Sequence, residues 1–260
     1  MHIAEMNDKP YSLTFIDSVI DDILADGHFD EVNGPDGGPY LPLTFSEAPD
    51  ESAGCVRLWR GRDSSVLDRM VHVRLVAGPV ETQLLFVMGL ADSCMPHLHV
   101  QVVQFPPDGC VYNADLMPRL DAVDHPDWFT RVYSGLRRPF RQATSDRDNS
   151  CAQAPANPAL AVYMSPWGIG SGRTDKAELD RVGPQLRDYV SHYLQLAAEP
   201  DWEAPQQEDA VGRDKRYLQL FFADDLDPRA WHGVYKIVGE ARGKMVKSLL
   251  RSPLRGKANN

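Results

Sequence analysis

The chain reads as an α/β protein, an α/β/α sandwich with a central antiparallel sheet flanked by helices. Three observations predict it. Apolar residues near the N-terminus recur at helical spacing, the middle of the chain alternates with a period of two, and helical spacing returns in the last half. A helix, then a meander, then helices puts a sheet between helical layers.

The first helix is carried by Leu13, Phe15, Ile16, Val19, Ile20, Ile23 and Leu24, which share one helical face before Gly27 supplies a stop. A Gly/Pro-rich connection, Asn33-Gly34-Pro35-Asp36-Gly37-Gly38-Pro39, separates it from the strands. Strand-like runs follow at residues 56–60, 70–76, 82–88, 97–105 and 110–116. The joints Ala77-Gly78-Pro79 and Pro106-Pro107-Asp108-Gly109 have turn chemistry and are too short for a crossover helix, so the centre of the sheet is antiparallel. A short helix is expected from Pro126 through Trp128, Phe129, Val132 and Tyr133, with proline in its first turn. The region 177–198 is helical, but Gly183-Pro184 predicts a kink or break with the better helix starting at Pro184. A last helix is expected from Pro228 to about Leu250, with Asp227 as N-cap, cationic Lys244, Lys247 and Arg251 near its end, and Gly233, Gly239 and Gly243 weakening it. Residues 152–158 and 199–207 read as loops inside a single domain that spans the 260 residues.

Composition narrows the function classes. A 43% hydrophobic and 25% charged chain is that of a globular protein, and no apolar run approaches the roughly 18 to 20 residues that span a bilayer. The N-terminal MHIAEMNDKPYS has no apolar stretch of a secretory signal, so a cytoplasmic location is expected. A net charge of −10 argues against general nucleic-acid binding. Cys55, Cys94, Cys110 and Cys151 are scattered without CxxC or zinc spacing, which predicts unpaired thiols. Phosphate-loop, dinucleotide and nucleophile-elbow motifs are missing, and Gly168-Ile169-Gly170-Ser171-Gly172, after Trp167, reads as a mobile loop.

Three blocks carry a likeness to a known family. They are Pro96-His97-Leu98-His99-Val100-Gln101-Val102-Val103-Gln104, Asp115-Leu116-Met117-Pro118-Arg119, and His125-Pro126-Asp127-Trp128-Phe129-Thr130-Arg131-Val132-Tyr133. With Asp224-Asp225-Leu226-Asp227 ahead of the last helix, their order and spacing resemble the ferredoxin-dependent bilin reductase superfamily, and within it stand nearest the red chlorophyll catabolite reductases. The likeness covers roughly residues 71–133 and 215–249. It implies reduction of an open-chain tetrapyrrole by electrons from external ferredoxin, with no bound cofactor and no metal.

The resemblance also assigns residues. On the strand 97–105, His97, His99, Gln101 and Val103 share one face. The family's proton-donating carboxylate falls at Gln101, whose amide binds a pyrrole or lactam but delivers no proton at neutral pH. His99 then becomes the candidate donor, since imidazole titrates near neutrality. Asp227 matches an acidic pocket position, although the same residue serves as an N-cap. Leu85 stands where bilin reductases carry a histidine, and with His97 and Trp167 it forms the expected substrate contacts. Ferredoxins are acidic, so docking calls for cations: Arg137, Arg138 and Arg141 in one run, Lys244 and Lys247 in another.

Two other readings stay open. His97 and His99, two apart on a strand, could grip a metal as in an oxygenase. A tetrapyrrole binder or lyase that kept the pocket and lost the acid also fits Gln101 and Leu85.

Overall fold

Helix α1 spans Tyr11–Ala25 and buries Ile16, Val19, Ile20 and Ile23 along one side, as its 3.6-residue period requires. The computed structural model describes residues 9–145 and 158–255; Cys151 and residues 152–157 lie outside them.

The described strands are β1 (Phe29–Val32), β2 (Leu41–Thr44), β3 (Ser52–Gly61), β4 (Leu67–Ala77), β5 (Val80–Gly89), β6 (His97–Phe105), β7 (Gly109–Met117), β8 (Ile169–Gly170) and β9 (Thr174–Asp175). They pair antiparallel in the order β1-β3-β4-β5-β6-β7-β8, with β2 also on β3 and β9 on β7. The expected runs are the centres of β3 to β7, and the 97–105 run matches β6 residue for residue. The glycine run 168–172 is no free loop: Ile169 and Gly170 pair with Ala114 and Asn113, and the Ser171 N–H donates to the Tyr112 carbonyl.

Alternation along the strands assigns each face a helical layer. Leu85, Val87, Leu98, Val100, Tyr112 and Ala114 pack against α1, α2 (Pro126–Tyr133), α3 (Arg137–Thr144) and α4 (Lys176–Ala198). On the other face Val71, Val73, Phe86, Met88 and Met117 pack against α5 (Ala210–Phe221) and α6 (Pro228–Arg251). Among the described residues no helix is long and apolar enough to cross a membrane.

Helix α4 runs unbroken through Pro184, against expectation. Pro184 and Asp180, whose carbonyl loses its partner, are both exposed, so water can serve that carbonyl. Buried Leu179, Val182, Leu186, Tyr189 and Tyr193 hold the helix on the sheet across the missing bond.

The interruption falls in α6 instead. Gly239 has φ 79° and ψ 159°, a region open to glycine and strained for any L side chain. The carbonyls this frees are met from the β2–β3 connection: the Ser46 N–H donates to the Ile237 oxygen at 2.8 Å and the Ser46 hydroxyl to the Lys236 oxygen at 3.1 Å. Gly239→Ala should therefore lower stability by about 1–3 kcal/mol in chemical denaturation. Gly233, in a helical stretch with nothing within 4 Å of an added Cβ, gives the control. Its alanine variant should be neutral or gain about 0.5–1 kcal/mol, and equal losses at both sites would refute the kink assignment.

Candidate functional site

The face of β6 turned toward α5 and α6 carries His97, His99 and Gln101, and the hairpin with β7 fixes what stands beside them. Register pairs His99 with Asp115, Gln101 with Asn113 and His97 with Met117. On the other side β5 pairs Phe86 with His99 and Leu84 with Gln101. Directly opposite residues in an antiparallel pair share a face, so His99, Gln101, Asn113 and Asp115 form one polar patch bordered by Phe86 and Leu84.

Within this patch three buried polar atoms lack a hydrogen-bond partner. Both ring nitrogens of His99 are buried without a hydrogen bond, and so is Oδ1 of Asn113, whose Nδ2 reaches only the Met164 sulfur at 4.0 Å. The His99 ring stacks on Phe86 with centroids 4.3 Å apart and planes 1° apart, and meets the Phe221 edge at 6.3 Å. Tyr163, Tyr217 and Phe222 extend this aromatic wall around Phe221. Burial lowers the His99 pKa to about 3, so the ring is neutral at physiological pH, against the expectation that it titrates near neutrality.

His97 is engaged on both nitrogens. The Gly89 N–H donates to Nδ1 at 3.1 Å, which puts the ring proton on Nε2, 2.8 Å from Oδ1 of Asp214 on α5. Arg119 completes the cluster, its Nε 3.3 Å from the same oxygen and its guanidinium on the carbonyls of Ala91 and Met95. Burial, reinforced by Arg119, lowers the His97 pKa to about 4. This histidine ties β6 to α5, and with both nitrogens occupied it cannot join His99 as a chelating pair. Among the described residues no group of three or more His, Cys, Asp or Glu side chains could hold a metal ion.

Other expected residues fall elsewhere. Leu85 pairs with Val100 and is fully buried in the opposite layer, so it does not face the patch. The β5 neighbours of the patch are Leu84 and Phe86, one residue to either side. Trp167 leaves its backbone near the site, with its N–H donating to the Ser165 hydroxyl at 3.1 Å, but its ring packs edge-on to Phe140 in the α1–α4 layer. Asp227 caps α6, with Oδ1 accepting from the Ala230 N–H at 3.1 Å.

The basic candidates do not make one patch. Arg137, Arg138 and Arg141 are exposed on α3, whereas Lys244 and Lys247 belong to α6 in the opposite layer. Lys244 pairs with Glu240 at 2.5 Å. Lys247 is buried, bonded to Asp224 and to the Tyr235 hydroxyl at 2.7 Å beneath the Trp231 ring, and so presents no free charge to a partner.

The alternation along the strand does not by itself single out Asp115, the cross-strand partner of His99. Asp115 is fully buried, and its carboxylate accepts from the Ser165 N–H at 2.8 Å and from the Ser165 hydroxyl. Burial raises its pKa to about 7 against the lowering effect of those bonds. The tight β6–β7 turn was the available signal, because counting back from it sets Asp115 opposite His99.

Comparison with known proteins places this geometry. No family model matches the chain. In sequence it is 24% identical over 183 residues to red chlorophyll catabolite reductase 1, chloroplastic, of Oryza sativa subsp. japonica, an alignment covering 63% of this chain and 55% of the relative. The chain thus spans about half the length of that curated relative. In structure it matches phytochromobilin synthase from tomato, solved in complex with biliverdin, with a TM-score of 0.70 and 13% identity over 92% of this chain and 82% of that one. The chain has the phytochromobilin synthase fold. Resemblance to the ferredoxin-dependent bilin reductase superfamily therefore holds in sequence and in architecture. In this fold the patch lies on β6 and β7, bordered by β5, beneath Phe221 of α5 and the segment that carries Met164 and Ser165.

Proposed function

We propose that this protein is an oxidoreductase that reduces a bilin-like linear tetrapyrrole with electrons from ferredoxin. The observation that carries the reading is the set of unpartnered polar groups at His99 and Asn113, beside Gln101, against the Phe86–Phe221–Tyr217 wall. A buried polar atom without a partner costs about 1–3 kcal/mol. A planar conjugated ligand with pyrrole N–H donors and lactam carbonyl acceptors supplies both the missing hydrogen bonds and a flat apolar surface for the aromatic side chains. The sequence relative named as a reductase and the structural neighbour solved with biliverdin support the same ligand class.

In this reading no metal or cofactor is held by the chain, and electrons arrive from outside one at a time. Docking falls to Arg137, Arg138 and Arg141 on α3, exposed cations that carry no ion pair among the described residues. A competing reading, a tetrapyrrole binder without reductase chemistry, is favoured by Gln101 in place of an acid.

Anaerobic incubation with biliverdin, reduced ferredoxin and a regenerating system separates the two. The expected result is saturable binding followed by a blue shift of the long-wavelength band as reduction shortens the conjugated path. A bound spectrum that never changes under reducing conditions would leave the binder and remove the reductase.

A further inference from the structure

We infer that Asp115, rather than a residue of β6, supplies a proton for the reduction at this face. The inference rests on the reductase reading and adds its acid.

Position comes first. Asp115 is the cross-strand partner of His99, and Gln101 is the diagonal neighbour, one pair further along the hairpin. Diagonal pairs stand roughly 7–8 Å apart at Cα and within reach of long side chains, so an acid on β7 serves the surface that an acid at position 101 would serve. Asp115 is the one carboxyl of this patch.

Its surroundings suit a proton donor. Ser165 provides its hydrogen bonds, and Gly168 brings the covering segment to within 3.4 Å of the carboxyl carbon, measured from where a Cβ would sit. The titratable groups around it are neutral at physiological pH: His99 from β6, Tyr133 from α2, Tyr189 from α4 and Tyr217 from α5. Among the described residues no Lys or Arg pairs with it. An uncompensated carboxyl in this setting keeps its proton to about pH 7, near the optimum for an acid that must both hold and release one. Neither neighbour competes: Gln101 has no acidic proton and His99 is neutral.

The chemistry balances simply. Reduction of one double bond takes two electrons, delivered singly as two reduced ferredoxins are oxidised, and two protons. Asp115 gives one proton and becomes a carboxylate. Solvent gives the other and later reprotonates Asp115.

The test compares wild type, Asp115→Asn and Ser165→Ala with biliverdin and reduced ferredoxin. Asparagine keeps an acceptor for the Ser165 N–H and offers its amide to the hydroxyl, so D115N should bind biliverdin while turnover falls about 100-fold or more. Wild-type kcat should fall as pH rises through about 7. Ser165→Ala should move that limb to higher pH, because the hydroxyl bond that holds the pKa down is gone. A folded, biliverdin-binding D115N that turns over at the wild-type rate overturns the inference and leaves the reductase reading intact. So does a limb unmoved by S165A, which decides the matter if D115N does not fold. If wild type binds biliverdin without reducing it, the reductase reading fails, and the role of Asp115 is read from the bound spectrum alone. Protonation of the bilin near pH 7 in wild type and not in D115N retains Asp115 as its proton partner, while identical titrations dismiss it.

Discussion

Replacing Asp214 by alanine should cost about 3–5 kcal/mol of folding stability, the usual range when a buried ion pair loses one member. The carboxylate is 5% exposed and faces His97 Nε2–H at 2.8 Å and the Arg119 guanidinium at 3.3 Å. Its removal leaves Arg119, itself buried, charged and without a counterion, and leaves His97 with an unsatisfied donor. Each partner also anchors backbone: His97 receives the Gly89 N–H, and Arg119 binds the carbonyls of Leu90, Ala91 and Met95. The cluster therefore clamps α5 and the β5–β6 connection onto β6 and β7, and α5 carries Tyr217 and Phe221 over the candidate site. At about 2–4 °C per kcal/mol for a chain of this size, the melting temperature should drop by about 10 °C. Asp30, whose pair with Arg62 is 67% and 50% exposed, provides the contrast, and its alanine variant should cost under about 1 kcal/mol. Equal small losses from both variants would show that Asp214 does not anchor the fold.

The same cluster shows what the sequence pattern could and could not reveal. Alternation on 97–105 correctly grouped His97, His99 and Gln101, because a strand's period of two needs no partner to read. It could not divide their roles, since His97 is committed to Asp214, a residue 117 positions away whose helix is polar enough to escape notice. Register was legible only across tight turns. The β6–β7 hairpin brings Asp115 opposite His99 by counting, whereas residues 90–96 between β5 and β6 are long enough to hide the offset that turns Leu85 to the other layer. The short edge strands β1, β2, β8 and β9 have two to four residues each, too few for alternation to show. The local cost of Pro184 inside α4 is visible in the sequence, while the tertiary packing that offsets it is not. Gly239 has the opposite character, a glycine among several in α6 whose positive φ becomes necessary only when Ser46 is there to meet the freed carbonyls.

Stability should fall steeply as pH drops below about 6.5, and the slope carries information about the site. Three histidines are buried and neutral in the fold: His72, bonded through Nε2 to Gln83 at 2.7 Å, with His97 and His99. Burial lowers their pKa values to about 4, 4 and 3. Unfolded, each takes up a proton near pH 6.5, so their stabilising contribution is complete above that pH and is lost as pH falls toward 4. Asp115 acts in the opposite sense. Its folded pKa of about 7 lies above the unfolded value of 3.8, so its contribution is greatest below pH 3.8 and is lost as pH rises through 7. Between about pH 4.5 and 6 the unfolded chain thus binds three histidine protons where the folded chain binds one on Asp115. The net difference of two protons gives a slope of about 2.7 kcal/mol per pH unit, stability rising with pH. Urea titrations at half-unit intervals measure it directly. Asp115→Asn removes the opposing proton and should steepen the slope to about 4 kcal/mol per unit, whether or not the protein reduces any bilin. An unchanged slope in that variant would mean that Asp115 is ionised in the native protein, and a carboxylate already ionised at pH 5 could not be the acid of a reduction at pH 7.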